Sequence, residues 1–227
     1  SPTIRYNQLV WDDRAAILLN PDVVGTRPIG DIWKYDFWGQ DITRHDSHKS
    51  YRPISVLSFR LNYYLHDVNP IGYHAVNVFL HGGVTYLFGV FVCRLFARYL
   101  STSATLTKNN FLLQATIASL LFAIHPIHTE PISCIVGRSD ILAGFFLLLG
   151  ILFQDKVLHP PLTSKKSLQE KKMGQVLFFG LAVISGVIAV WCKEMGVTVF
   201  GIFICAEIIK GLPGGDGNTS SSTSSSK

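Results

Sequence analysis

Residues 74 to 96 read HAVNVFLHGGVTYLFGVFVCRLF, about 23 mostly apolar positions in succession. At ~1.5 Å of rise per residue a helix of that length crosses a hydrocarbon core of ~30 Å, so this stretch predicts a membrane span. Further apolar blocks follow at 111 to 124, 132 to 153, 175 to 191 and 197 to 209. The expectation is therefore five spans, two of them short. Composition agrees: of 227 residues 48% are hydrophobic and 15% charged, against roughly 25% charge in a soluble domain, and the mean hydropathy is +0.31. This balance disfavours a water-soluble enzyme. The net charge of +5 comes without Lys/Arg clusters interleaved with aromatics, which disfavours a nucleic-acid module.

Orientation is read from the connections. Arg94, Arg98 and Lys108 flank one loop, and Lys156, Lys165, Lys166, Lys171 and Lys172 outnumber Asp155 and Glu170 in another. By the positive-inside rule both face the cytoplasm. The opposite, luminal side then receives residues 1–73, the turn at 125–131 and the tip at 192–196. Residues 1–73 hold eight Lys/Arg and eight Asp with frequent turn formers, and read as a folded luminal loop. Within them Ile54, Leu57, Leu61 and Leu65 recur at helical spacing, with Ser55, Ser58, Arg60 and Asn62 between, which suits a helix lying on the membrane surface. Trp11, Trp33 and Trp38 fit the same level. Residues 74–210 form the helix bundle. The segment 211–227, rich in Gly, Ser and Thr, reads as a disordered cytoplasmic tail, with Asn218-Thr219-Ser220 a glycosylation acceptor on the wrong side. Cys93, Cys134, Cys192 and Cys205 stand in apolar segments without metal or disulfide spacing and read as buried small hydrophobes. Residue 1 is Ser with no leader behind it, so the chain is expected to be a fragment.

Polar side chains where lipid is expected mark function, because each charge there costs about 2.5 to 3.5 kcal/mol unless it is paired or hydrated. His74, Asn77 and His81 fall on one helical face, either lining a luminal cavity or making interhelical hydrogen bonds. In His125-Pro126-Ile127-His128-Thr129-Glu130-Pro131 one span ends and another begins; Thr129 can cap the new helix, which must start early enough to carry Arg138 and Asp140. The HxxHxE string admits a metal reading but lacks a third defined ligand, so no metal site is assigned. Lys193-Glu194 fits a hairpin tip, since one helix over 176–209 would be ~50 Å long. Its bland alternative is a self-satisfied ion pair. Asp12-Asp13 pairs two carboxylates that can serve base chemistry, hold a divalent cation or cap a helix. Tyr51-Arg52, preceded by His48, precedes the surface helix, where Arg52 can hold a phosphate or snorkel to headgroups.

The stretches WDDRAAILLNPDV, SHKSYRPISVLSFRLNYYL, GYHAVNVFLH, FAIHPIHTEPISCIVGRSDIL and CKEMGVTV occur in an order that resembles the amino-terminal membrane half of the transmembrane and tetratricopeptide-repeat (TMTC) proteins, over about residues 6 to 210. The resemblance implies an all-α polytopic bundle of GT-C architecture with a large first luminal loop, resident in the endoplasmic reticulum membrane. It implies an inverting transfer of mannose from dolichyl phosphate mannose to Ser or Thr hydroxyls of cadherin-type acceptors. Asp12 or Asp13 is then the base; Arg52, His125, His128, Arg138 and Lys193 are candidates for the donor phosphate; His48, Tyr51, His74, Asn77, His81, Glu130, Asp140 and Glu194 support them. No cofactor is indicated beyond a divalent cation that the acids are able to hold. A transporter and a non-catalytic membrane scaffold are the rival classes.

Overall fold

A computed structural model describes residues 9, 12–99, 108–160 and 167–211. Trp11, Lys165, Lys166 and the tail from 212 onward, together with their expected roles, lie outside the described residues. The chain is all-α: among the described residues there is no strand, only one isolated bridge between Tyr35 and Asp41. The helices are α1 (Pro21–Val24), α2 (Pro53–His66), α3 (Pro70–Tyr99), α4 (Lys108–Ile124), α5 (Thr129–Ser133), α6 (Arg138–Leu158), α7 (Leu168–Cys192) and α8 (Thr198–Gly211).

Among the described residues three helices are long and apolar enough to cross a membrane, at Pro70–Arg98, Ile135–Leu158 and Leu168–Cys192. A fourth crossing is formed only if Phe111–Ile124 and Pro126–Ser133, bent by 49° at their junction, count together. The fifth expected span is α8, whose 14 residues give about 21 Å of helix, short of a bilayer core. Five spans remain the expectation from the sequence, of which three, or four with the bent pair, have the length and composition of a crossing among the described residues, and the multi-pass membrane character stands.

The helix boundaries follow from local chemistry. Ser167 opens α7 through a capping box, its hydroxyl accepting from Glu170 N at 3.2 Å while the Glu170 carboxylate accepts from Ser167 N at 2.7 Å. Pro126 ends α4, and the His125 ring nitrogen accepts from Ile127 N at 3.2 Å. The chain turns again at Cys134 before α6 begins at Arg138, as the length argument requires. At the far hairpin α7 stops at Cys192, a short 3-10 turn spans Glu194–Val197, and α8 returns. Small residues bring the helices together: Gly150 faces the Ala182 carbonyl and Ser185, and Gly186 faces Val199 and Phe200.

Residues 12–52 fold against one end of the bundle. Asn20 caps α1, accepting from Asp22 N and donating to the Phe37 carbonyl, both at 3.0 Å. Asp36 gathers the next turn, accepting from Trp38 N, Gln40 N and the Ser47 hydroxyl. Their apolar side chains, Ala16, Ile17, Val23, Ile32 and Phe37, share one core with Val56 and Phe59 of α2, Tyr73 of α3 and Ile135. Within α2 the buried positions are Pro53, Ser55, Val56, Phe59 and Asn62, while Leu61, Tyr64 and Leu65 are exposed. The helix therefore buries a mixed apolar and polar face, with Leu57 packed against that core, and turns Leu61 and Leu65 outward, which suits a helix half-sunk in lipid. The cysteine expectation is met only by Cys192; Cys93 is half-buried, and Cys134 and Cys205 are exposed.

Candidate functional site

The end of the bundle that carries residues 12–52 gathers most of the singled-out polar side chains. Arg52, the residue before α2, reaches the tip of the α7–α8 hairpin, where its Nε and Nη2 donate to both carboxylate oxygens of Glu194 at 2.9 to 3.1 Å. The neighbouring Lys193 Nζ meets Asp140, in the first turn of α6, at 2.6 Å. The Ser55 hydroxyl donates to the Cys192 carbonyl at 2.9 Å and fixes α2 to the same tip. Lys193 and Glu194 thus pair with other elements rather than with each other. Both ion pairs keep water access: the side chains are 19% and 49% exposed for Arg52 and Glu194, and 25% and 45% for Lys193 and Asp140. Burial works to raise the Glu194 carboxyl, but the Arg52 hydrogen bonds and the charges of Arg52 and Lys193 hold it below the usual range. The Arg52 guanidinium also lies 5.1 Å from the Phe37 ring, and Trp33 meets Trp191 edge-on at 5.2 Å beside the tip.

The two adjacent carboxylates divide. Asp13 is buried, and its Oδ1 accepts from Val136 N at 3.1 Å in the turn leading into α6. Asp12 is exposed. Asp13, Glu130 and Asp12 all act on the Cys134 thiol: partial burial first, and then these three negative charges, push it above its ordinary range. The amino-terminal acids therefore meet the 125–134 segment on this end of the bundle, which ends six residues before Asp140 along the chain.

Arg138 takes a different place from the one expected of a phosphate ligand. It is fully buried, with Nε donating to Asn77 Oδ1 at 2.7 Å and Nη2 to Asn62 Oδ1 at 2.7 Å and to the Tyr73 carbonyl at 3.0 Å. Nη1 donates to the Ser58 carbonyl at 3.3 Å, and the Phe59 and Tyr73 rings flank the guanidinium at 4.8 and 5.6 Å. Four of its five donors are spent on α2 and α3, so Arg138 clamps three helices and has no free edge for a ligand.

The same holds for the polar face of α3. His74 is buried against Ile132, Asn77 also donates to the Cys134 and Ile135 carbonyls at 3.2 and 3.3 Å, and His81 lies 3.3 Å from the Ala123 carbonyl. These contacts realise the interhelical reading. His81 and His128 pack on Phe122 with ring centroids 5.9 and 4.3 Å away, and His125 stands 6.2 Å from His128. Among the described residues no three His, Cys, Asp or Glu side chains are grouped to hold a metal ion. His48 pairs with the Ser50 hydroxyl at 2.9 Å and Trp38, and burial raises the Tyr51 hydroxyl.

Asn62, Ser55, Ser58 and Tyr73 had no assigned role in the sequence. Their signal is present in α2, whose Ser55, Ser58 and Asn62 recur along one helical face.

No family model and no solved structure matches the chain. Curated relatives do. The chain is 38% identical over 201 residues to the human protein O-mannosyl-transferase TMTC4, covering 88% of this chain and 26% of that protein. It is 39% identical over 209 residues to the mouse protein O-mannosyl-transferase TMTC1, covering 88% and 20%, and 36% identical over 208 residues to Tmtc3 of Drosophila melanogaster, covering 88% and 22%. The chain thus spans about a fifth to a quarter of the length of the relatives it matches.

Proposed function

From the premise that the chain belongs to the TMTC family, we propose that it forms the membrane part of a protein O-mannosyltransferase of GT-C architecture in the endoplasmic reticulum. The donor is dolichyl phosphate mannose, and the acceptors are Ser and Thr hydroxyls of cadherin-type domains on the luminal side. The observation that carries the reading is the convergence of Arg52 and Lys193 at one end of the bundle, each held by a partly exposed carboxylate. Cations so placed can exchange a carboxylate partner for the phosphate of a lipid-anchored donor without a new fold.

The chemistry divides among these residues. A hydroxyl attacking the anomeric carbon passes its proton to a carboxylate, and the departing phosphate is stabilised by fixed positive charge. Asp12, exposed beside the acid-lined 130–134 segment, is the base, while its buried neighbour Asp13 positions the turn into α6. Arg52 and Lys193 take the phosphate, and Asp140 and Glu194 orient them between turnovers. Arg138 is a positioning residue that fixes Asp140 through the start of α6. His125, His128 and Glu130, at the mouth between α4 and α6, border the same region. One direct attack with one base gives inversion.

The test is transfer of mannose from purified donor to a cadherin domain by the full-length protein. Asp12→Asn is expected to lower transfer at least ~100-fold, the usual scale of a lost general base, with the membrane-inserted amount unchanged. Asp13→Asn is expected to reduce the amount of folded protein instead. Full transfer by the double variant would remove Asp12 as base and favour a non-catalytic scaffold.

A further inference from the structure

The far end of the bundle carries a second polar cluster that the proposed transfer does not use. Near the carboxyl end of α3, Arg94 and Arg98 converge on a single carboxylate of α6: Asp155 Oδ2 accepts from Arg94 at 3.2 Å and from Arg98 at 2.7 Å. His159 stands one turn on, its Nδ1 3.6 Å from Asp155 Oδ1. Two guanidinium groups sharing one carboxylate leave positive charge uncompensated between them. Beside them is a cavity of about 170 Å³ whose walls include Phe91, Leu95, Ile151 and Phe203, with Arg94 and Arg98 at its edge.

Two buried polar atoms at this cavity have no hydrogen-bond partner among the described residues. One is Arg98 Nη1, a donor. The other is Gln154 Oε1, an acceptor on a side chain only 3% exposed, whose Nε2 is already committed to Glu207 at 2.7 Å. A buried unpaired polar group costs about 1 to 3 kcal/mol, so such a pair asks for an occupant that brings both an anion and a donor. An apolar wall ending at paired arginines, near the end of membrane-spanning helices, is the form that basic headgroup pockets take.

We propose that this cavity is a binding site for an anionic phospholipid with hydroxyls on its headgroup, of the phosphatidylinositol kind. The phosphodiester takes the free edge of Arg98 with Arg94 beside it. A headgroup hydroxyl donates to Gln154 Oε1, and the first methylenes lie against Phe91, Leu95 and Phe203. Glu207, outside the cavity on α8, keeps Gln154 turned so that its oxygen faces the ligand.

The test uses the full-length protein in vesicles or nanodiscs of phosphatidylcholine doped with phosphatidylinositol or with phosphatidic acid, reading retained lipid by native mass spectrometry and the unfolding temperature. Retention of phosphatidylinositol at least tenfold above phosphatidylcholine is expected, with phosphatidic acid between them. Gln154→Leu is expected to bring phosphatidylinositol down to the phosphatidic acid level, and Arg98→Gln to abolish selective retention of both. Water-soluble glycerophosphoinositol is expected to give no stabilisation, since it lacks the acyl part. Equal retention of phosphatidylcholine, unchanged selectivity in Gln154→Leu, or full stabilisation by the soluble headgroup would each overturn the proposal. If Arg98→Gln does not fold, Gln154→Leu decides alone through the ratio of the two anionic lipids.

Discussion

Arg138 and Glu194 show how two charged side chains at one end of the bundle serve different purposes. Arg138 is enclosed by two asparagine side chains, two carbonyls and two rings, so its removal leaves Asn77 Oδ1, Asn62 Oδ1 and two carbonyl groups without their donor. Hydrogen bonds to a charged group contribute about 1.5 to 3 kcal/mol each, and orphaned partners add their desolvation cost. Arg138→Ala is expected to destabilise the protein by about 3 kcal/mol or more, with Arg138→Lys intermediate because a point charge cannot reach both asparagines at once. Thermal unfolding in detergent checks this, and an alanine variant as stable as the parent would refute the clamp. Glu194 is the exposed counterpart. Its folded carboxyl titrates below the usual glutamate range, so the pairing with Arg52 stabilises at neutral pH and is lost only as pH falls through that depressed value. With the carboxylate half exposed, water screens the pair to well under about 1 kcal/mol. The unfolding temperature of Glu194→Gln is expected to sit slightly below the parent's by a constant margin from pH 6 to 8, and the margin to close in acid.

The α7–α8 hairpin turns on Gly196. A Cβ there would run into the backbone of Ala189 and Val190, the last full turn of α7, where nothing flexible can yield. Gly196→Ala is expected to cost about 1 to 3 kcal/mol, the range of overpacked sites, and to move Lys193 and Glu194 off Asp140 and Arg52. Gly201, in α8, has nothing within 4 Å of its would-be Cβ, so Gly201→Ala is expected to be neutral or to stabilise by up to about 1 kcal/mol. Comparing the two by thermal unfolding separates loss of the tip geometry from a general effect of methyl groups. Equal behaviour would show that the tip tolerates the shift. The hairpin itself was legible, because two short apolar blocks around Lys193-Glu194 cannot form one straight helix within a bilayer. Its partners were not: Arg52 lies 142 residues from Glu194, and no local pattern encodes that reach. For α2 the helical period was legible, but which polar residues it buries was not. Leu61 and Leu65 face outward, since the solvent on that side is proposed to be lipid and the core to be partly polar.

Over the whole molecule, the apolar blocks located the long helices, and the break at His125-Pro126 and the early start of α6 followed from length. The two short blocks expected as spans are α4, which needs its bent continuation to reach across, and α8, whose described length is about 21 Å of helix. The candidate site was legible as a set of residues gathered at one end, with Arg52, Asp140, Lys193 and Glu194 together there. It was not legible which polar groups face a ligand and which hold helices together, because buried clamps and ligand sites use the same side chains. Arg138, His74 and Asn77 belong to the clamps. That clamp also constrains the order in which the protein is built. Asn62 is synthesised 76 residues ahead of the arginine that satisfies it, an interval of about 4 to 15 s at ~5–20 residues per second. Throughout it Val56 and Phe59 of α2 already have Ile17, Val23 and Phe37 to pack on, while Asn62 goes without the guanidinium that satisfies it, so the polar part of that inner face is completed only when α6 arrives.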